Sequence, residues 1–326
     1  MKKFNFIFLI SLVLILNSCD TKDITKENIP KETNLDPIII FCPQDNCEGN
    51  LIALINYSKA SVHCAFYDLK LENLINILAS KSHDVDVKIV IEADNYKEQI
   101  KGSGIRLDNN RYYMHNKFCI IDNKIVWTGS FNPTTRGAYN NNNNVIVLYS
   151  SYFAENYEDE FNELWNSNLT STAKVKHPII YLNNKKIENY FCPEDNCAQH
   201  IINVINKAKN SIYFMTFSFT NEDIADSILF KDKNIEIKGI FETTQAGSEY
   251  SQYKRLKDFG LEVIKDKNKA NMHHKVFIID NTTVITGSFN PTESGDKRND
   301  ENLLIIYDEY IAKKYLQEFE KVWSLE

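Results

Sequence analysis

The chain contains two copies of one sequence. Phe41-Cys42-Pro43-Gln44-Asp45-Asn46-Cys47 returns 150 residues later as Phe191-Cys192-Pro193-Glu194-Asp195-Asn196-Cys197. Gly129-Ser130-Phe131-Asn132-Pro133-Thr134 returns as Gly287-Ser288-Phe289-Asn290-Pro291-Thr292, offset by 158, and Trp165 and Trp323 keep that second offset. Such self-similarity requires two copies of one folding unit. The eight residues separating the two offsets fall between the anchors, around Thr244 to Ala270. The halves therefore run over about 37–166 and 179–326, with a polar linker at 167–178.

Within each half the apolar periodicity alternates between strand and helix. In the first, Ile38–Phe41, Ser61–Tyr67 and Val85–Glu92 read as strands. The spacing of Leu51, Ile52, Leu54 and Ile55 is helical, as is that of Glu72–Ser80. Lys117–Ile121 and Lys124–Thr128 flank Asp122-Asn123 as a hairpin. Phe153, Tyr157, Phe161 and Trp165 line one side of a closing helix, repeated from about Tyr310 to Trp323. The expectation is an α/β fold, a mixed sheet with helices in each repeat.

The first residues read as an export signal. Lys2-Lys3 precedes an apolar run from Phe4 to Leu16, too short to favour a membrane-spanning helix, which needs roughly 20 residues. Leu16-Asn17-Ser18-Cys19 resembles a bacterial lipobox, so residues 1–18 are expected to be removed and Cys19 acylated. The polar segment 19–36 would then be a flexible tether, and the protein an exported, membrane-anchored lipoprotein on the periplasmic or cell-surface side. Export makes the five-residue spacings of Cys42 with Cys47 and Cys192 with Cys197 readable as local disulfides, while Cys64 and Cys119, in apolar runs, read as buried free thiols. A zinc site lacks further ligands at suitable spacing near either pair. The net charge of −7 shows no basic footprint of the kind phosphate-bound nucleic-acid proteins carry, which weighs against a nuclease.

Each half places His-x-Lys-x4-Asp just before its Gly-Ser-Phe-Asn: His115, Lys117 and Asp122, then His273, Lys275 and Asp280. Along a strand, residues two apart share a face, which sets each histidine beside its lysine. A phosphodiester needs this equipment. Lysines aimed at its anionic oxygens offset their charge. One neutral imidazole can attack phosphorus, and a second, protonated, can give its proton to the leaving oxygen. Ser130, Asn132, Ser288 and Asn290 could add hydrogen bonds to phosphoryl oxygens, and Asp122 and Asp280 could set imidazole tautomer and orientation. A single His-x-Lys is weak; its recurrence together with polar residues that packing does not need points to catalysis. His274 has no such spacing, nor do His63, His83, His177 and His200. Tyr112, Tyr113 and Trp127 are candidates to line a cleft, with core packing as the commoner role.

The pair of motifs resembles the signature of the phospholipase D superfamily, across nearly the whole chain after the signal. The resemblance implies two repeats packed about a pseudo-twofold axis, a phosphohistidine intermediate, no cofactor and no metal. It implies His115 as nucleophile and His273 as acid and base, with a monomer sufficient because both motifs share one chain. The family often has a glutamate after Gly-Ser-x-Asn. Glu301 fits it, whereas the equivalent position in the first half is Asn143, so the two histidines should differ in basicity. The surrounding run Asn140–Asn144 reads as polar surface. The expected function is hydrolysis of a phospholipid headgroup to leave phosphatidic acid. Alternatives of the same architecture are a metal-independent endonuclease acting on nucleic acid and a cardiolipin synthase-like transphosphatidylase; a further one is an inactive surface binding protein.

Overall fold

The computed structural model describes residues 29–324 apart from 99, 103, 168–172 and 232. The expected signal at 1–18, the acylated Cys19 and part of the linker lie outside the described residues.

Each half forms its own mixed sheet. The first has seven strands in the order Ile38–Cys42, Asn143–Tyr149, Ile125–Gly129, Lys117–Ile121, Ser61–Phe66, Asp86–Glu92, Ile105–Asp108. The last three are parallel to one another, and the others run antiparallel. The second half repeats this order and adds an edge hairpin, Ile179–Leu182 with the start of Lys185–Cys192. The eight additional residues of the second half fall between Glu236–Phe241 and Glu262–Lys265, where they build the short helix Tyr253–Asp258.

Strand residues alternate between two apolar cores, so nearly every strand position is buried. In Lys117–Ile121, Phe118 and Ile120 belong to a central core shared by both halves, whereas Cys119 and Ile121 belong to an outer one. Val276 and Ile278 face the same central core from the second half, with Phe277 and Ile279 turned outward. Between the sheets lie the two closing helices, Ser151–Asn166 and Glu309–Trp323. Phe153, Tyr157 and Phe161 of one, and Ile311, Tyr315 and Phe319 of the other, recur every three or four residues and fill the central core. Their starts are capped alike: Ser150 accepts from the Phe153 N–H and Asp308 from the Ile311 N–H. The stack is therefore helices, sheet, paired helices, sheet, helices.

Three expectations are corrected here. The tether ends earlier than residue 36, because Lys31–Glu32 pairs in parallel with the edge strand of the second half and the Glu32 carboxylate accepts from Ser150 and Ser151. The run Asn140–Asn144 is not surface beyond Asn140: Asn141 to Asn144 are buried where the halves meet. Cys64 and Cys119 are not free thiols. They stand opposite each other in neighbouring antiparallel strands, with Cα atoms 4.1 Å apart, and form a disulfide. Cys42–Cys47 and Cys192–Cys197 are also bonded.

The Cys64–Cys119 bridge spans 55 residues, so it constrains the unfolded chain far more than either five-residue bridge. Replacing both cysteines by alanine is expected to lower unfolding free energy by roughly 2–4 kcal/mol, measured by denaturant titration. An unchanged midpoint would show that this bridge does not contribute to stability.

Candidate active site

The hairpin turn at each motif explains its aspartate. Asp122 and Asn123 both adopt left-handed φ angles of 55° and 52°, and the Lys124 N–H closes the turn onto the Ile121 carbonyl. Asp280 and Asn281 repeat this at 53° and 56°, the mirror-image turn that suits twisted hairpins. The Asp122 carboxylate then accepts from the backbone N–H groups of Lys59, Ala60 and Ser61, and Asp280 from those of Lys209, Asn210 and Ser211. Neither aspartate orients an imidazole. Each ties the hairpin to the start of the adjacent antiparallel strand, and these donors draw the Asp122 pKa down although its partial burial opposes the shift.

The imidazoles are instead gripped from the opposite half. The His115 N–H donates to the Asp300 carbonyl and the His273 N–H to the Asn142 carbonyl, at 2.9 and 2.8 Å. The reciprocal bonds run from the Asp300 N–H to Tyr113 and from the Asn142 N–H to Asn271. One residue further on, Glu301 Oε2 lies 2.8 Å from His115 Nδ1, while Asn143 Oδ1 lies 2.9 Å from His273 Nδ1. The Ser130 carbonyl is a second acceptor for His273 Nδ1, at 3.0 Å. The two histidines thus differ in partner, one a carboxylate and the other neutral oxygens. Tyr67 meets the His115 ring edge-on and Phe217 the His273 ring, each at 4.7 Å.

Ser130 and Ser288, expected at phosphoryl oxygens, serve these anchors instead. Ser130 Oγ donates to Asn143 Oδ1 and accepts from the Asn144 N–H; Ser288 Oγ donates to Glu301 Oε2 and accepts from the Asn302 N–H. Asn132 and Asn290 differ. Each carries a buried Oδ1 with no partner among the described residues.

Lys117 and Lys275 are buried beside their histidines. Lys275 Nζ lies 3.2 Å from His273 Nε2 and 3.0 Å from the His273 carbonyl, and Lys117 Nζ donates to the His115 carbonyl at 2.5 Å. Each ammonium also sits 5.0 Å from an aromatic centre, Tyr67 for Lys117 and Phe217 for Lys275. Burial pushes Lys117 down to about 7 even though the Glu301 and Asp68 charges oppose it, and burial with the Lys117 charge holds Lys275 well below the usual lysine range. Both imidazoles are held well below theirs by burial and by the lysines of both halves. Burial also raises Glu301 to about 8, against the pull of Lys117. Each lysine acts on both histidines, and burial disfavours the cationic form of all four side chains. A bound anion would favour those forms.

Beneath lies a second polar layer that the sequence reading passed over. Asn302 accepts from Thr128 and Tyr157 and donates to Asn116; Asn144 donates to Thr286 and Tyr315 and accepts from His274. The 158-residue offset relates every partner in these two networks, which was the available signal. Trp127 packs in the outer core of the first half, whereas Tyr112 and Tyr113 are exposed close to His115.

The family model for the cardiolipin synthase, PLD-like domain matches twice, over residues 51–165 and 201–323. The chain belongs to the phospholipase D superfamily. It is 34% identical to a phospholipase D of Rickettsia conorii over 149 residues, 45% of this chain and 74% of that protein. With a mitochondrial cardiolipin hydrolase of Chlamydomonas reinhardtii it shares 30% over 125 residues, 38% of this chain and 56% of the relative. The fold of a phosphatidylserine synthase of Haemophilus influenzae matches 88% of this chain and 85% of that one with a TM-score of 0.67 at 13% identity, a likeness of fold alone. Family membership and these relatives make the chain a phosphodiesterase of the superfamily.

If Asp122 and Asp280 anchor strands, Asp122→Asn should cost stability and spare turnover. A loss on the order of 1–3 kcal/mol is expected for weakened charge-assisted bonds, with kcat of the folded enzyme within about threefold of wild type. Because the folded-state pKa of Asp122 is lowered, its contribution is present above the unfolded value of about 4 and fades as pH falls through the folded one. Thermal melts from pH 7 downward should show the variant and wild type converging. Lost turnover with an unchanged melt would return the aspartate to the reaction.

Proposed function

We propose that this protein hydrolyses a phospholipid diester to phosphatidic acid and a free headgroup alcohol, through a phosphohistidine on His115. The carrying observation is that both buried histidine-lysine pairs are anchored across the seam between the halves, His115 by Asp300 and Glu301 and His273 by Asn142 and Asn143. The diester phosphate would lie between the lysines, with the amides of Asn132 and Asn290 as further contacts.

His115 suits the nucleophile. With its Nδ1–H directed at Glu301, Nε2 keeps its lone pair for phosphorus; burial raises Glu301 to about 8, and the positive charge of the phosphorylated ring would draw it into the ionised form that offsets that charge. The new bond is N–P; the bond broken joins phosphorus to the headgroup oxygen. His273, once protonated, donates Nδ1–H only to neutral oxygens, so no carboxylate retains its Nε2 proton and it can pass to the leaving alkoxide. In the second step neutral His273 takes a proton from water, the hydroxide attacks phosphorus, and the N–P bond breaks. Replacing that water by a lipid alcohol would make the same intermediate a transphosphatidylation.

Lipid is favoured over nucleic acid by the acidic total charge and by relatives named for phospholipase D and cardiolipin hydrolase. An acylated Cys19, as the lipobox-like sequence suggests, would keep the enzyme at its substrate surface. Labelled fatty acid should then be incorporated into wild type and not into Cys19→Ser.

The expected outcome, with chelator present, is phosphatidic acid release from phospholipid vesicles and no cleavage of single-stranded DNA. His115→Ala should lose at least about 10³-fold in kcat, and acid-labile label should be trapped on His115 during turnover and absent from that variant. Glu301→Gln should retain binding and lose about 10- to 100-fold in kcat. DNA cleavage without lipid hydrolysis would replace the lipid reading, and label on His273 would reverse the two roles.

A further inference from the structure

The Met114 N–H, one residue before His115, is held by a side chain rather than by a strand. Tyr113 and His115 commit their backbone groups to Asp300 across the seam, on either side of the bridge between Met114 and Asp300. Backbone groups alternate in direction along extended chain, so the Met114 N–H turns back into its own half. Met114 is fully buried, and Glu92 Oε2 accepts that N–H at 2.8 Å.

Glu92 ends the strand Asp86–Glu92 and is 3% exposed. Its other oxygen accepts from the Asp94 N–H and opens the short turn Ala93–Asn95. From that turn Asn95 donates to the Tyr67 carbonyl at 2.8 Å. Tyr67 is the residue whose ring meets both His115 and the Lys117 ammonium. One carboxylate therefore holds the surroundings of the His115 imidazole twice, directly at Met114 and through Asn95 at the ring packed against it.

The setting is an unfavourable one for an acid. The strand neighbour of Glu92 is Asp108, also buried, with one oxygen lacking a partner among the described residues. Asp94 on its own turn and Asp300 across the seam are acidic as well. Burial raises Glu92 to about 7, the Asp108 and Asp94 charges push the same way, and the Met114 and Asp94 N–H groups pull against them. A buried carboxylate among carboxylates opposes folding, so its place is explained by what it holds.

The other half supplies the comparison. Glu242, 150 residues on, is buried as deeply, at 2% exposed. It accepts from the Gln245 N–H at 2.7 Å and, among the described residues, makes no bond to Met272, which precedes His273. Asp266 repeats Asp108, with the N–H groups of Thr243 and Asn268 as its donors. The pair of acids is common to both halves, whereas the link to the histidine segment belongs to the side that also has Glu301.

We infer that Glu92 is a positioning residue for His115, holding the backbone before the nucleophile so that the imidazole keeps its place between Glu301 and Tyr67. The inference rests on His115 as nucleophile and adds to that reading a residue that never touches substrate. Without this carboxylate the buried Met114 N–H loses its acceptor, and the segment relieves that loss by moving. A displacement of about 1 Å at a reacting group costs on the order of 10²-fold in rate.

Glu92→Ala, Glu92→Gln, Asn95→Ala and Glu242→Ala test this in the full chain. In Glu92→Ala, kcat should fall about 10²-fold with KM within about twofold, because the phosphate contacts are untouched. Glu92→Gln keeps an oxygen for Met114 but not for Asp94, and should recover to within about tenfold of wild type. Glu242→Ala should lose stability and keep kcat within about threefold. Imidazole ¹⁵N NMR without substrate reads the ring apart from the reaction: the His115 Nδ1 resonance should move in Glu92→Ala while those of His273 stay in place. Equal losses of kcat in Glu92→Ala and Glu242→Ala overturn the positioning role, as does lost turnover with an unmoved His115 resonance. Should Glu92→Ala fail to fold, Asn95→Ala decides: a moved His115 resonance and a kcat about tenfold lower uphold the role, and wild-type values for both overturn it. A moved resonance in a protein without lipid turnover or trapped phosphohistidine supports the positioning of His115 and removes the hydrolase reading.

Discussion

The histidine of each motif is held by the half of the chain to which it does not belong, and the rest of the site depends on that exchange. The His115 backbone pairs with Asp300 and its ring with Glu301; the His273 backbone pairs with Asn142 and its ring with Asn143. Buried N–H groups need partners, so either half by itself would leave an imidazole unanchored. Beneath, the networks centred on Asn144 and Asn302 bond residues of both halves. Such a seam has one register that satisfies its donors and acceptors, whereas a purely apolar seam could slide. The polar layer therefore fixes how the sheets meet, and the central core supplies the burial that holds them together.

This crossing also explains which parts of the site were legible in the sequence. His115, Lys117, His273 and Lys275 stood out because a duplication had kept polar residues that packing does not use. The offset even pointed to Asn143 as the counterpart of Glu301. What spacing could not convey was direction: nothing local says that Glu301 serves His115 rather than His273. The aspartates were assigned to the imidazoles by proximity along the chain, but the mirror-image turn carries Asp122 toward residues 59–61. Cys64 and Cys119 illustrate the same limit, since their meeting is a product of strand register across 55 residues. Elements with strong periodicity, such as the closing helices, were readable. The strand opening at Asn143 was hidden because its first residues are asparagines, which favour loops unless a buried network absorbs their amides.

Electrostatically the pocket is prepared for an anion. Two lysines and two imidazoles lie out of water, and burial lowers the proton affinity of all four. Bringing a phosphodiester among them reverses that balance. The same negative charge that makes the substrate resistant to attack in water is what restores lysine and imidazole to their cationic forms. On the proposed reading, substrate binding and protonation of the general acid would thus be linked.

The chain has moved away from symmetry at two places. Asn143 in place of a glutamate leaves the His273 ring without the acidic partner that His115 has in Glu301, and on the proposed reading this divides the roles of nucleophile and acid. At the outer corner, Tyr112, Glu163, Glu194 and Asp300 stand where the other half has Ala270, Lys321, Gln44 and Asn142. A diester is itself asymmetric, with one oxygen that leaves and one that stays. An identical pair of halves would bind it in either orientation, and half of those encounters would present the wrong oxygen to the acid. Unequal anchors for the two histidines would select one orientation on the proposed reading. On the proposed reading, Glu301 marks the ring that attacks.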